Sequence, residues 1–141
     1  MVDPSARPPR VNGILETALY VESAARSAAF YQRVFGFEVI DFAGSDKLDD
    51  ATRLCAMRAG DRDVLLLFKR QGTPDTDATG AIHVAFAIGR ADLAAWEKWL
   101  GEHGVEIEFR KTWKYGAEAL FFRDPDGHLL EVVTPGVWSV Y

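Results

Sequence analysis

Between Gly80 and Ile88 the chain alternates. Ala81, His83, Ala85 and Ala87 fall on one face of a strand, and Ile82, Val84, Phe86 and Ile88 on the other. The bulky face needs a packing partner, and the run reads as a buried strand. The other face is lined by alanines and leaves room beside one ionisable ring, His83. Leu15–Val21 has the same build, interrupted at the equivalent place by Glu16. Each of the two strands leads into an amphipathic helical segment closed by a glycine. These are Ser23 to Phe35 before Gly36, and Asp92 to His103 before Gly104. Gly36 follows Glu16 by 20 positions, and Gly104 follows His83 by 21. Strand signals come next at Phe37–Ile40 and Val105–Glu108. Hairpins follow at Thr52–Met57 with Asp63–Phe68, and at Glu118–Arg123 with His128–Val133. The second hairpin turns on Asp124-Pro125-Asp126-Gly127, strong type I or II turn chemistry.

The pattern therefore predicts an α+β fold of two tandem βαβββ modules. Residues 1–10 form a tail, 11–70 the first module, 71–80 a polar linker, 81–134 the second module and 135–141 a C-terminal tail. In the first helix Ser27, Phe30, Tyr31, Val34 and Phe35 make the buried stripe, with Ser23 as N-cap. In the second, Leu93, Trp96 and Leu100 do so, with Trp99 beside them, and these aromatics read as core. The loop 43–51 is polar and reads as a candidate mobile segment. The segment Thr112-Trp113-Lys114-Tyr115-Gly116 combines aromatics, a cation and a glycine, so Lys114 and Tyr115 are candidates to close over an anionic ligand.

Composition narrows the partners. The chain has 141 residues and a net charge of −5, which argues against nucleic acid or an anionic membrane as the main partner. No apolar run is long enough to span a bilayer, and the first ten residues lack the apolar core of a secretory signal. The single cysteine, Cys55, excludes an internal disulfide, suits a reducing cytoplasm and reads as packing. The tail ending in Trp138 and Tyr141 is apolar enough to dock on the domain or on a second subunit, so a homodimer is expected.

Glu131 repeats the theme of Glu16 and His83, being one charge inside the apolar run Leu129–Val133. Three strands thus carry one ionisable group each on the face away from their bulky side chains. Burying unpaired carboxylates costs several kcal/mol each, on the order of the transfer cost of a polar group. A shared divalent cation (Zn, Ni, Mn or Fe) accounts for all three, with Glu16, His83 and Glu131 as ligands and open positions for substrate. A salt bridge of protonated His83 with the glutamates is the alternative. On the same strand faces Tyr20, Leu66 and Phe68, with Val64, are candidate pocket residues.

The paired modules, the helix end Ala28-Ala29-Phe30-Tyr31-Gln32-Arg33-Val34-Phe35-Gly36-Phe37 and the run from Phe122 to Glu131 resemble the vicinal oxygen chelate superfamily. That group holds glyoxalase I, methylmalonyl-CoA epimerase, fosfomycin-modifying enzymes, extradiol dioxygenases and bleomycin-resistance proteins. The resemblance implies that each module curls its sheet into half of an open, mixed β-sheet barrel with helices outside. It also implies metal ligands at Glu16, His83 and Glu131, and paired subunits. The fourth-strand position, a glutamate in glyoxalase I, is Leu66 here, and Glu16 stands where dioxygenases and fosfomycin enzymes have histidine. These departures favour a redox-inert role: Lewis acid catalysis on a small substrate with vicinal oxygens, lyase- or isomerase-like, with Glu16 or Glu131 as general base. The alternatives are a bleomycin-resistance-type binder of small molecules and an extradiol-type dioxygenase.

Overall fold

The computed structural model describes residues 5, 14–71, 80 and 82–139. The expected N-terminal tail apart from Ser5, most of the 71–80 linker, Ala81 and Tyr141 lie outside the described residues. The elements are β1 (Glu16–Val21), α1 (Ala24–Phe35), β2 (Glu38–Ala43), β3 (Leu54–Arg58), β4 (Val64–Lys69) and β5 (His83–Ala87). A short 3-10 turn (Arg90–Asp92), α2 (Leu93–Glu102), β6 (Phe109–Thr112), β7 (Glu118–Arg123) and β8 (Leu129–Val133) follow. They build two four-stranded sheets, ordered β1-β4-β3-β2 and β5-β8-β7-β6. In each sheet the first strand runs parallel to the last and the other pairings are antiparallel, so both are mixed. The α+β architecture with two equivalent modules is as the pattern predicts, and no barrel closes.

α1 starts where its cap chemistry says. Ser23 is extended, and its Oγ accepts from the Arg26 N–H at 3.1 Å. The helix stops at Gly36, whose φ of 71° is the left-handed conformation that lets its N–H reach the last-turn carbonyls. Its stripe is buried, with Ser27, Tyr31 and Val34 at 1% exposure or less. Leu19 and Val21, Cys55 and Met57, and Leu65 and Leu67 from the first sheet join Leu120, Phe122, Leu130 and Val132 from the second in one core. Phe35 crosses between the modules, its ring 4.6 Å from Phe86, 5.6 Å from Trp96 and 6.0 Å from Phe122. In α2 only Leu100 is fully buried. Trp99 stays 42% exposed, yet donates its Nε1–H to the Val34 carbonyl at 2.9 Å.

The turn Asp124–Gly127 and the residue after it clasp the two modules. Asp124 accepts from the backbone of Asp126 and His128 through Oδ1, and from the Tyr31 hydroxyl through Oδ2 at 2.9 Å. Asp126 accepts from the Glu22 N–H at 2.8 Å and from the Ser27 hydroxyl. Buried His128 accepts the Ile82 N–H at Nδ1, so Nε2 carries the proton and donates to the Tyr20 carbonyl. A motif that reads as a turn in sequence is thus also the joint between halves.

Three expectations need correction. The strand expected at Val105–Glu108 is irregular chain, and β6 begins only at Phe109. The reason is the end of α2: the Val105 N–H bonds back to Leu100, and Val105 and Ile107 pack on the core from unpaired backbone. Pairing with β7 is first reached at Glu108, whose N–H donates to Phe121. The strand carrying His83 is not buried on both faces. It is a sheet edge, with His83, Ala85 and Ala87 exposed. The polar loop 43–51 is tied down rather than free, since buried Thr52 bonds Ser45, Lys47 and Asp49.

Candidate active site

Register decides which side chains share a face. Across the second sheet one row runs Ala85, Glu131, Phe121 and Phe109. The row on one side is His83, Leu129 and Arg123. The row on the other side is Ala87, Val133, Ala119 and Lys111. Leu130 and Val132 point the opposite way and are fully buried in the main core, which forces Glu131 onto the other face. There a second, smaller apolar cluster forms from Ala117, Ala119, Phe121 and Val133, with Trp113, Leu129 and Val137 against it.

Glu131 is 4% exposed within this apolar floor. The polar group that meets it among the described residues is His83, with Nε2 at 3.1 Å from Oε2. The other ring nitrogen, Nδ1, lies 3.1 Å from the Leu129 carbonyl. A carbonyl only accepts, so Nδ1 holds a proton and the Nε2 lone pair of a neutral ring aims at a carboxylate oxygen. Two acceptors so close repel unless Nε2 is protonated or a cation is shared. Anchoring one imidazole nitrogen on a backbone carbonyl while the other faces a carboxylate is also how proteins orient a metal-binding histidine. His83 and Glu131 thus meet either as an ion pair or as two of the donors a divalent ion needs. Phe121 stacks on His83 (6.0 Å between centroids, 19° between planes) and Phe109 on Phe121 (4.2 Å, 14°), so a row of rings leads from the pair to the sheet's outer strand.

Glu16 stands elsewhere. It is exposed at the start of β1, the edge strand of the first sheet, level with Val64. Among the described residues of one chain no three His, Cys, Asp or Glu side chains come together as an ion-binding group. His83 and Glu131 meet; Glu16 does not join them within one chain. The expected pocket residues do share its face. Ala18 pairs with Leu66, and Tyr20 pairs with Phe68, the two rings stacked at 5.5 Å. Lys114 and Tyr115 lie in the turn after β6 and are exposed, Tyr115 at 72%. The lysine that register places on the face of Glu131 is Lys111, whose ammonium lies 3.7 Å over the Trp113 ring. Phe121 was readable from the hairpin turn that sets it opposite Glu131. Lys111 was not, because the start of β6 is displaced from its pattern.

A hollow of about 530 Å³ between the helices is lined by Arg33, Phe35, Trp96 and Trp99, and another of about 460 Å³ by Thr17, Phe37 and Val84–Ile88. Neither includes Glu131. The histidine–glutamate pair sits on an open sheet face, and no helix of the described residues is long and apolar enough to cross a membrane.

Comparison with known proteins agrees with the fold. Residues 13–132 match the model of the Glyoxalase/Bleomycin resistance protein/Dioxygenase superfamily. A metallothiol transferase FosB of Bacillus licheniformis is 29% identical over 131 residues, 92% of this chain and 80% of that protein. The crystal structure of a lactoylglutathione lyase from Agrobacterium tumefaciens superposes with a TM-score of 0.78 at 29% identity, covering 94% of this chain and 99% of that one. A FosX of Listeria monocytogenes, complexed with Mn(II) and a dihydroxypropylphosphonic acid, shares the fold at 18% identity and a TM-score of 0.67, covering 91% and 96%. With the match running from the start of the first module almost to the end of β8, the chain belongs to the Glyoxalase/Bleomycin resistance protein/Dioxygenase superfamily.

Proposed function

We propose that this chain is a divalent-metal-dependent enzyme acting on a small substrate with adjacent oxygens. His83 and Glu131 hold the ion from one subunit, and Glu16 completes the set from a second copy. The observation that carries this reading is the His83–Glu131 pair at 3.1 Å, its imidazole fixed through Nδ1 on Leu129. The topology supports a second copy. Glu16 and His83 both lie on sheet edges, β1 and β5, whose outer backbone groups have no strand partner among the described residues. Ile14 and Leu15, leading into β1, are 84% and 73% exposed. Such edges invite pairing between chains. A homodimer in which β1 of one subunit meets β5 of the other roofs the open face and brings the third carboxylate in.

A divalent ion held by His83, Glu131 and the second copy's Glu16 would supply Lewis acidity to the substrate. The chain's own residues do the rest. Phe121 and Leu129 keep water from the inner side of the pair, and Tyr20, Leu66 and Phe68 form the opposing wall. Glu16, the less buried carboxylate, is the candidate to take a proton from substrate, with Glu131 confined by its apolar floor. Lyase- or isomerase-like chemistry is the primary reading. Addition of a thiol is the second, favoured by the metallothiol transferases at 29% identity. The His83–Glu131 pair on this face weighs against a simple bleomycin-type binder, and one histidine with two glutamates weighs against the dioxygenase.

The test is metal stoichiometry. EDTA-stripped protein titrated with Mn(II) or Zn(II) is expected to bind about one ion per chain. His83→Ala and Glu131→Gln should remove that binding, and Glu16→Gln should weaken it. Equal, weak uptake by wild type and His83→Ala would leave a binding protein as the reading. Assay of the loaded enzyme on an α-oxo substrate with and without a free thiol separates isomerisation from thiol addition.

A further inference from the structure

His83 is the first residue of β5, and β5 is a sheet edge, so the backbone that aims this imidazole is laddered on one side only. The ladder with β8 is parallel and steps by two residues. Ile88 donates its N–H to the Val133 carbonyl at 3.0 Å. Six positions back along both strands, the same pattern would set the Ile82 N–H against the Gly127 carbonyl. That pairing is not made. At the turn Asp124–Gly127 the chain leaves the sheet, and the Gly127 carbonyl accepts from Arg123 Nη1 at 3.1 Å. The His128 carbonyl beside it accepts the Asp124 N–H, also at 3.1 Å. A side chain answers Ile82 instead: the Nδ1 of His128 accepts its N–H at 3.1 Å. A ring that replaces a backbone acceptor must itself be held. The His128 N–H donates to Asp124 Oδ1 at 2.9 Å and its Nε2 to the Tyr20 carbonyl at 3.1 Å, with the residue 1% exposed.

We propose that His128 is a positioning residue for His83, its Nδ1 standing in for the missing ladder acceptor and so fixing where β5 starts. The path between the two rings is short. Ile82 is tied through both its backbone groups, its N–H to His128 and its carbonyl to the Leu129 N–H at 2.9 Å. The next residue is His83, whose Nδ1 lies 3.1 Å from the carbonyl of the same Leu129, which leaves Nε2 facing Glu131. Without its acceptor the Ile82 N–H would turn toward water, and the edge strand would fray from its first residue, taking the imidazole off Leu129. The bond to Tyr20 holds the His128 ring but not β5. A side chain that keeps the Tyr20 bond and lacks the acceptor therefore leaves the modules joined and releases His83. This placing of the imidazole needs no metal; only its effect on metal affinity rests on the proposed function.

Two substitutions separate the bonds of His128 by reach. In His128→Asn the side-chain oxygen stands near the Nδ1 position and accepts the Ile82 N–H, leaving Tyr20 without a donor. In His128→Gln the amide reaches the Nε2 position and donates to Tyr20, leaving Ile82 without an acceptor. Each variant forfeits one buried hydrogen bond, so a purely structural histidine predicts equal effects. The ¹⁵N-labelled, metal-free full chain is read at pH 8 by long-range ¹H–¹⁵N correlation of its three imidazoles, with His83 assigned by its loss in His83→Ala. In wild type and His128→Asn the His83 Nδ1 should be protonated, as donation to Leu129 demands. In His128→Gln the ring should turn to the Nε2–H form that a free imidazole favours. Amide exchange at Ile82 should quicken about tenfold or more in His128→Gln and stay slow in the other two. Mn(II) affinity should fall about tenfold in His128→Gln and stay within about threefold of wild type in His128→Asn. An Ile82 amide that exchanges in wild type as fast as an open chain refutes the proposal without any variant. Equal imidazole signals and equal exchange in the two variants also refute it. If no form binds metal while the difference between the variants persists, the positioning stands and the proposed metal site falls.

Discussion

Tyr31 and Asp124 are 93 positions apart in the chain and meet at 2.9 Å in the interior. Burial, and then the neighbouring Asp124 carboxylate, push the Tyr31 phenol well above its ordinary range. Tyr31→Phe leaves Asp124 Oδ2 without its donor and should cost about 1–3 kcal/mol in urea unfolding, the desolvation penalty of one buried acceptor. Cys55 is wholly buried, and burial with nearby Asp41 pushes its thiol up to about 11. Native protein should therefore fail to react with a disulfide reagent at pH 8 and react fully once unfolded. Both groups hold their protons more tightly folded than unfolded. The stability they give is present below the unfolded values of 9.0 and 10.0 and is lost as pH rises past them. Unfolding measured at pH 8, 9.5 and 10.5 should show that decline, shallower in Tyr31→Phe.

At the scale of elements, local rules work where the element depends on itself. The capping serine and the left-handed glycine bound α1 just where the hydrophobic spacing begins and ends. Ser23→Ala should cost about 0.5–2 kcal/mol in thermal or urea unfolding, the usual loss for such a cap. β7 and β8 are equally legible, because a tight turn fixes their register and with it the pairing of Phe121 with Glu131. β6 is not. Val105, Ile107 and Phe109 continue one alternating phase, and nothing local marks where backbone pairing starts. That start is set by the length of α2 and by the reach back to Leu100, a tertiary constraint. The four-residue displacement puts Lys111 within β6, level with Ala119, while Lys114 stays in the turn after it.

For the whole molecule, the proposed pairing of two copies is open to a direct test. If Glu16 serves the partner's His83 and Glu131, each single-site variant spoils both sites of its own homodimer by different means. Glu16→Gln and His83→Ala proteins, each deficient alone, should regain metal binding when mixed and re-equilibrated. One intact site in each mixed dimer restores about a quarter of wild-type capacity. No recovery on mixing, with exchange verified by mass spectrometry, would place Glu16 outside the site. Such a dimer would also account for the exposure of Ile14 and Leu15. Val137 packs on the small cluster while Trp138 remains 74% exposed, so the tail that reads as a docking segment is only partly covered by its own chain.

The repeat, the helices with their caps, the hairpins, and the charges set where an apolar strand calls for none are all legible along the chain. These depend on periodicity and on neighbours a few positions away. The sequence also carried the family, since the motif of α1 and the turn before β8 are contiguous. That this turn clasps the modules through Tyr31, Tyr20 and Ser27 emerges only once the two sheets are packed together. The tertiary structure alone makes β5 an edge, and brings His83 to Glu131 while Glu16 faces away. Side-chain alternation fixes a face, but the partner of that face depends on how two sheets and a second chain are set against each other, and no short-range pattern encodes it.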